Sequence, residues 1–277
     1  MPPTPTVTRA GTKVPVVEAA LFGVGLLAFT WFVTAQYYHS QVADVRYFAD
    51  PALAEVRALE DKYGPHRYSA NLEEWIIRDF FQDRRGGAFL DVGANHYRDE
   101  NNTYYLETTL GWSGVAVDAL EEFAADYTAH RPQTRFVAAF ASDVADTSVQ
   151  LFVPDSDGKQ WASSDPQFTE RGGRAGQAKT VPTTTLNAVL EAAGLEKLDF
   201  MSMDIELSEP AALKGFDIAK YKPALVCIEA HPEVRQHLID YFDDHGYRLV
   251  GKYLRVDVTN LYFTARHSGR SAPADPE

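Results

Sequence analysis

The stretch Phe89-Leu90-Asp91-Val92-Gly93-Ala94-Asn95 decides the fold. Apolar residues around Asp91 predict a buried strand, and Gly93 ends it. Behind the polar run His96 to Thr103 a helix is expected to start near Asn101 or Asn102, either of which could cap Thr103-Tyr104-Tyr105-Leu106. Gly111 closes that helix, and Gly114-Val115-Ala116-Val117-Asp118 is a second apolar strand ending on a carboxylate. The result is a βαβ unit with a glycine turn on its first strand. Such a turn lets a ligand approach the backbone closely. The acid at the tip of the second strand, about 25 residues on, sits where a ribose hydroxyl pair is held. The pattern predicts a nucleotide-like cofactor without saying which.

Composition narrows the class. The 277 residues are enough for one α/β domain plus extensions. A net charge of −13, with no basic stripe against it, argues against a nucleic-acid partner. The single cysteine, Cys227, lies in an apolar run, which excludes a disulfide framework and is expected to be core packing.

Residues 1–13, rich in Pro and Thr, predict a disordered tail. Residues 14–38 predict a membrane anchor: Ala19 to Ala35 carries no charge, and Trp31, Tyr37 and Tyr38 gather at one end as an interface belt would. A cleaved signal peptide is the competing reading, since Val33-Thr34-Ala35 offers small residues for cleavage. Arg9 and Lys13 before the span, against Arg46 after it, lean towards an internal N-terminus. A cytoplasmic catalytic domain fits the cofactor better, and that chemistry takes precedence over one charge. Residues 39–67 are a linker containing a helix over Pro51–Tyr63, and 68–267 form the globular domain, followed by a disordered tail, 268–277.

Within the domain, a helix is expected from Asn71, with Glu74 completing a capping box and Trp75, Ile76, Phe80 and Phe81 buried. Ala119 to His130 is helical and is ended by Arg131-Pro132. Arg135 to Ala141 is a third strand that brings Ser142 and Asp143 to the crevice rim. Ser148 to Pro154 and Thr180 to Thr184 are extra strands, and the polar loop Asp155 to Lys179 between them is a candidate lid or substrate loop. Leu186 to Ala193 is a helix. Leu198 to Asp204 is the fourth strand and Ala224 to Ile228 the fifth, delivering Glu229 and His231. After an amphipathic helix, Pro232 to His245, the segments Tyr247–Tyr253 and Leu261–Ala265 pair as the last strands. Carboxylates thus stand at the tips of four strands: Asp91, Asp118, Asp204 and Glu229. Parallel sheets bind ligands at that rim.

These residues carry a resemblance. The first block, Phe89 to Asn95, with Asn102-Thr103-Tyr104-Tyr105-Leu106-Glu107 and Gly111-Trp112-Ser113-Gly114, resembles the first motifs of the FkbM-type methyltransferases. Val181-Pro182-Thr183-Thr184-Thr185-Leu186, Met203-Asp204-Ile205-Glu206, Leu213-Lys214-Gly215 and Tyr221-Lys222-Pro223 resemble that family's second half. The resemblance implies a class I, Rossmann-like α/β fold: a mostly parallel sheet with a C-terminal antiparallel strand. It also implies S-adenosylmethionine as cofactor and methyl transfer to a hydroxyl of a sugar, lipid-linked glycan or small natural product. Carried over by position, Asp91, Gly93 and Asn95 line the methionine side, Asp118 holds the ribose, Ser142 and Asp143 flank adenine, and Asp204 faces the methyl site. Two positions depart from the family: Tyr97 and Leu207 stand where glycine is usual. A tyrosine there is expected to narrow or re-route the cofactor loop, and Leu207 to repack locally.

An alcohol acceptor must lose its proton as it attacks. Candidate bases are His96, Asp204, Glu206, Glu229 and His231, with Asp204, Glu206 and His231 favoured. Asp204, Glu206 and Glu229 could instead hold a divalent ion, but the spacing does not require one. Two other classes stay open: a membrane-tethered, non-catalytic binding protein of the same fold, and a nicotinamide oxidoreductase. The latter lacks the G-x-G-x-x-G turn that seats a pyrophosphate.

Overall fold

The computed structural model describes residues 52–155, 158–170 and 176–266. The chain forms two units, Met1–Ala54 and Glu55–Glu277, and the sheets and the site belong to the second. The anchor expected over residues 14–38 and both tails lie outside the described residues. Among the described residues, no helix is long and apolar enough to cross a membrane.

After helix α1 (residues 52–63), helix α2 (Glu73–Phe81) leads into β1 (Ala88–Val92). Helix α2 starts two residues later than its sequence suggests, with Leu72 at the N-cap. Asn71 makes no capping box. Instead the Ser69 hydroxyl accepts the Glu74 N–H at 3.1 Å while the Glu74 carboxylate accepts the Tyr68 N–H at 2.8 Å.

Strand β1 is the middle one of five parallel strands in a seven-stranded sheet of order β3-β2-β1-β7-β8-β10-β9. The first five, β3 (Thr134–Ala138), β2 (Ser113–Asp118), β1, β7 (Phe200–Met203) and β8 (Leu225–Glu229), are parallel; β10 (Asn260–Ala265) runs antiparallel to both β8 and β9 (Tyr247–Leu249). Covering both faces of a parallel sheet demands apolar residues on both sides of each strand. Leu90, Val92, Val115, Met201 and Ile228 pack into one buried cluster, while Phe89, Trp112, Phe200 and Cys227 pack into another with α2. Cys227 is therefore core, as expected from its surroundings.

The third strand departs from the continuous run expected over residues 135–141. The Ala139 N–H still donates to the Asp118 carbonyl at 2.8 Å, and the chain then leaves the main sheet. Phe140–Ala141 (β4) joins a small sheet of order β4-β6-β5, with β5 at Ser148–Pro154 and β6 at Gly176–Thr184. The polar segment between β5 and β6 is not structureless: it contains a 3-10 turn, Lys159–Trp161, and helix α5 (Pro166–Glu170). The remaining helices are α3 (Tyr104–Thr108), α4 (Ala124–His130), α6 (Leu186–Ala192), α7 (Glu209–Lys214), α8 (Ile218–Tyr221) and α9 (Pro232–Asp244).

Candidate active site

A cavity of about 300 Å³ opens at the C-terminal ends of β1, β2, β7 and β8. This is the edge at which open parallel sheets take ligands. Gly93, with φ of 79°, turns the chain off β1. A Cβ there would lie 1.8 Å from the Asp204 carbonyl oxygen, so the loops after β1 and β7 touch backbone to backbone only because the residue is glycine.

Asp118 closes β2 and lines the cavity. Its Oδ2 accepts the Asn95 N–H at 2.9 Å and its Oδ1 the Leu120 N–H at 2.8 Å, so both oxygens are fixed in position by backbone. Burial pushes its carboxyl up to about 6, opposed by those two hydrogen bonds. Around it stand Leu120, Phe123, Phe140, Leu151 and Trp161, a mostly apolar wall. Of these, the sequence pointed only to Trp161, which lies in the candidate lid or substrate loop Asp155 to Lys179; the signal for the others was the apolar Leu120 and Phe123 directly behind the strand-tip acid.

Asp91 lies behind the wall and outside the cavity lining. It is 4% exposed, and its Oδ2 accepts the Thr103 hydroxyl at 2.8 Å. Burial also raises its carboxyl to about 6. Thr103, not Asn101 or Asn102, is the N-cap of α3, and it makes no side-chain cap bond. Asn101 Oδ1 instead accepts the Thr103 N–H at 3.0 Å, and Asn102 reaches across to Ser202 at 2.9 Å.

Arg131, which sequence reasoning took only as a helix end, ties this loop together. Its guanidinium is fully enclosed, pairs with Glu107 at 2.5 Å, and donates to the Tyr97 carbonyl at 2.9 Å, Asn101 Oδ1 at 3.2 Å and Thr103 Oγ1 at 3.1 Å. Tyr97 neither occupies a left-handed φ nor lines the cavity. Its ring stacks on His130 with centroids 4.6 Å apart, so the loop accepts a tyrosine without narrowing the site.

The far end of the cavity is acidic. Asp204, Glu206 and Glu229 all line it. His231 Nε2 lies 3.0 Å from both Glu206 Oε2 and Glu229 Oε2, and the hydrogen-bond geometry is met towards Glu206. Burial raises the Glu229 carboxyl, and the Asp204 and Glu206 charges raise it further. The surrounding protein also raises Asp204, although its carboxylate is open to the cavity, while its hydrogen bond to Glu229 and the nearby His231 oppose that rise. Both carboxyls are thus raised, Glu229 by its neighbours' charges as well as by burial. Glu206 and Leu207 both take left-handed backbone, φ 52° and 76°. A glycine would adopt that conformation freely, so Leu207 brings strain rather than mere repacking.

Two serines of the segment before α5 hold this turn. Ser163 Oγ donates to the Glu206 carbonyl at 2.7 Å, and Ser164 Oγ lies 3.2 Å from Ser208 Oγ. The segment thus covers the acidic end, with Trp161 in the cavity wall. Three other sequence candidates lie elsewhere. Ser142 and Asp143 are outside the lining because the chain has already left the main sheet; the Ser142 N–H donates to Thr184. His96 is also outside it, its Nδ1 accepting the Asp99 N–H at 2.9 Å in a local turn.

A mostly parallel sheet with a reversed strand in its next-to-last position, an acid at the tip of β2 and a cavity above β1 defines a Rossmann-like, class I methyltransferase fold. The sequence profile described as the methyltransferase FkbM domain matches residues 91–249, more than half the chain. The chain belongs to the FkbM methyltransferase family. No curated protein matches it. Among solved structures it is similar to a TehB-like SAM-dependent methyltransferase from Corynebacterium glutamicum, at 13% identity and TM-score 0.41, covering 78% of this chain and 97% of that one. It is also similar to the Burkholderia thailandensis 1,6-didemethyltoxoflavin-N1-methyltransferase with bound 1,6-didemethyltoxoflavin and S-adenosylhomocysteine, at 13% identity and TM-score 0.37, covering 81% of this chain and 90% of that one. A SAM-dependent methyltransferase from Geobacter sulfurreducens in complex with S-adenosylhomocysteine is similar at 11% identity and TM-score 0.32, covering 72% and 76%.

Proposed function

We propose that this chain transfers a methyl group from S-adenosylmethionine to a hydroxyl oxygen of a small molecule, sugar or lipid-linked glycan. The observation that carries this is a single cavity with Asp118 at one end and Asp204, Glu206 and Glu229 at the other. The donor set fits the cofactor. Asp118 offers fixed carboxylate oxygens to the ribose hydroxyls, Leu120, Phe123 and Phe140 enclose the adenine, and the Gly93 turn admits the methionine part. An acidic end attracts a cationic sulfonium and repels a pyrophosphate, which disfavours the nicotinamide reading.

S-adenosylmethionine supplies an activated methyl group on its sulfonium sulfur. The protein's part is to align the acceptor and remove its proton. Asp204 takes that proton. Its hydrogen bond to Glu229 and the nearby His231 favour its ionised form. Trp161 and the segment behind it exclude water. Incubation with methyl-tritiated cofactor and a panel of sugar, glycolipid and phenolic alcohols tests the reading. Label transfer to an alcohol, reduced at least about 100-fold in Asp204→Asn by loss of a general base, is expected; transfer only to amines or thiols would refute O-methylation. Cofactor binding without any transfer would favour the non-catalytic tether.

The uncharged sequence of residues 14–38 further supports a single-pass anchor, and the cofactor, rather than the flanking charges, favours a cytoplasmic domain. Membrane sedimentation of the full chain, lost on deleting residues 1–38, is the expected result. A chain that stays in the supernatant would remove the anchor from the account.

A further inference from the structure

The cavity wall around Asp118 is mostly apolar, yet an adenine ring carries a polar edge, an exocyclic amino donor beside ring-nitrogen acceptors. Ser142 and Asp143, which strand order alone would bring to that edge, stand outside the lining because the chain leaves the main sheet after Ala139. Other polar side chains reach the cavity from the segment between β5 and β6. Its 3-10 turn, Lys159–Trp161, contributes all three of its residues to the lining, Gln160 among them, and Ala162 follows.

The neighbours of Gln160 on both sides are fixed at the Asp118 end. Before it, Lys159 pairs with Glu122 in the turn Glu121–Phe123, which follows β2. After it, Ala162 packs against the buried cluster of Leu120, Leu151, Val153 and Val181. Ser163 then pairs with Phe152 of β5 through both backbone groups, its N–H donating at 3.2 Å and its carbonyl accepting at 2.9 Å. The turn is thereby tied to the wall that surrounds Asp118. Two other polar side chains there are already engaged, Asp118 with two backbone N–H groups and Lys159 with Glu122. Gln160 is exposed, and its amide makes no hydrogen bond to any described residue. Its donor and acceptor are both available to a ligand.

We infer that Gln160 reads the adenine edge of the cofactor. A carboxamide sets a carbonyl acceptor beside an N–H donor in one plane, which complements the adenine amino group and the ring nitrogen next to it. The Gln160 carbonyl accepts from the exocyclic amino group, and its NH₂ donates to the ring nitrogen. Base specificity then comes from the segment between β5 and β6 and not from the end of the third strand. Three residues on, Ser163 holds the Glu206 carbonyl, so the base-reading turn and the support of the acidic end belong to one short stretch of chain. The assignment rests on S-adenosylmethionine being the occupant of this cavity.

The test is calorimetric titration of the full-length protein with S-adenosylhomocysteine and with its 6-deamino analogue, in which hydrogen replaces the adenine amino group. Wild type should bind the analogue at least about fivefold more weakly, the low end of what a bidentate contact to a base contributes. Gln160→Ala, and Gln160→Leu of closer size, should weaken S-adenosylhomocysteine by at least about fivefold and bind the two ligands within about twofold of each other. A folded variant that keeps wild-type affinity for S-adenosylhomocysteine, or keeps the preference for the amino group, would overturn the assignment and leave the cofactor reading intact. Equal binding of the two ligands by wild type would overturn it without recourse to any variant. A wild-type protein that binds neither would refute the cofactor reading itself, and the role of Gln160 with it.

Discussion

Replacing Asp118 by Asn isolates the group on which cofactor binding turns. The carboxylate meets two backbone donors, Asn95 N–H at 2.9 Å and Leu120 N–H at 2.8 Å, one on each oxygen. An amide has only one acceptor oxygen, so one of those donors faces an NH₂ group and loses its partner. A stranded donor of this kind costs about 1–3 kcal/mol of stability. The ribose hydroxyls lose one charge-assisted acceptor as well, worth about 1.5–3 kcal/mol, or roughly 10- to 150-fold in Kd. Calorimetric titration with S-adenosylhomocysteine measures this directly. Asp143→Asn is the matched control. Asp143 lies outside the cavity lining, so its Kd should stay within about twofold. A folded Asp118→Asn variant that binds as tightly as wild type would refute the assignment of the ribose site, and an Asp143→Asn variant that binds weakly would show that the turn after β4 reaches the adenine after all.

Three further outcomes are expected. Gly93→Ala should destabilise by about 3 kcal/mol or more, since its Cβ would meet the Asp204 carbonyl at 1.8 Å on backbone that is already left-handed; a urea midpoint unchanged from wild type would contradict the contact. Arg131→Met should cost about 3–5 kcal/mol by leaving Glu107 buried without its counter-charge, and the added change Glu107→Leu should recover part of it, both read by urea denaturation. Because burial lifts the folded Asp118 carboxyl to about 6 from an ordinary value of 3.8, its contribution to stability is full below 3.8 and is lost as pH rises through about 6. Cofactor binding runs the other way. The ionised form accepts from the ribose, so Kd should be flat above about pH 7 and rise below 6, and a Kd independent of pH from 5 to 8 would contradict it.

The parallel sheet was legible because its strands are short apolar runs, each stopped by a glycine or an acid. Phe89-Leu90-Asp91-Val92-Gly93 and Gly114 to Asp118 gave β1 and β2 within a residue. The antiparallel pairing of the last two strands was also plain, although β9 stops at Leu249 and Gly251–Tyr253 forms a 3-10 turn instead of continuing it. What failed depended on contacts distant in sequence. Nothing local shows that the chain leaves the sheet at Ala139, so Ser142 and Asp143 were carried to a rim they do not reach. Arg131 has five partners spread from Tyr97 to Thr134, and a helix-end arginine shows none of them. Asp91 was recognised as a strand-end acid, but strand alternation turns it to the face behind the cavity, against Thr103. The two departures from the family resolved oppositely for one physical reason, backbone φ. Tyr97 sits outside the left-handed region and costs nothing there, while Leu207 at 76° carries the strain that a glycine would avoid. Of the candidate bases, Asp204, Glu206 and His231 do meet at one end of the cavity, joined by Glu229; His96 does not.

The central claim is that the cavity between Asp118 and Asp204 takes S-adenosylmethionine. Calorimetric titration of the full-length protein with S-adenosylmethionine, S-adenosylhomocysteine and NAD tests it most directly. Saturable one-to-one binding of the first two, weakened in Asp118→Asn, with no heat from NAD, is the predicted result. Binding of NAD, or of none of the three, would contradict it.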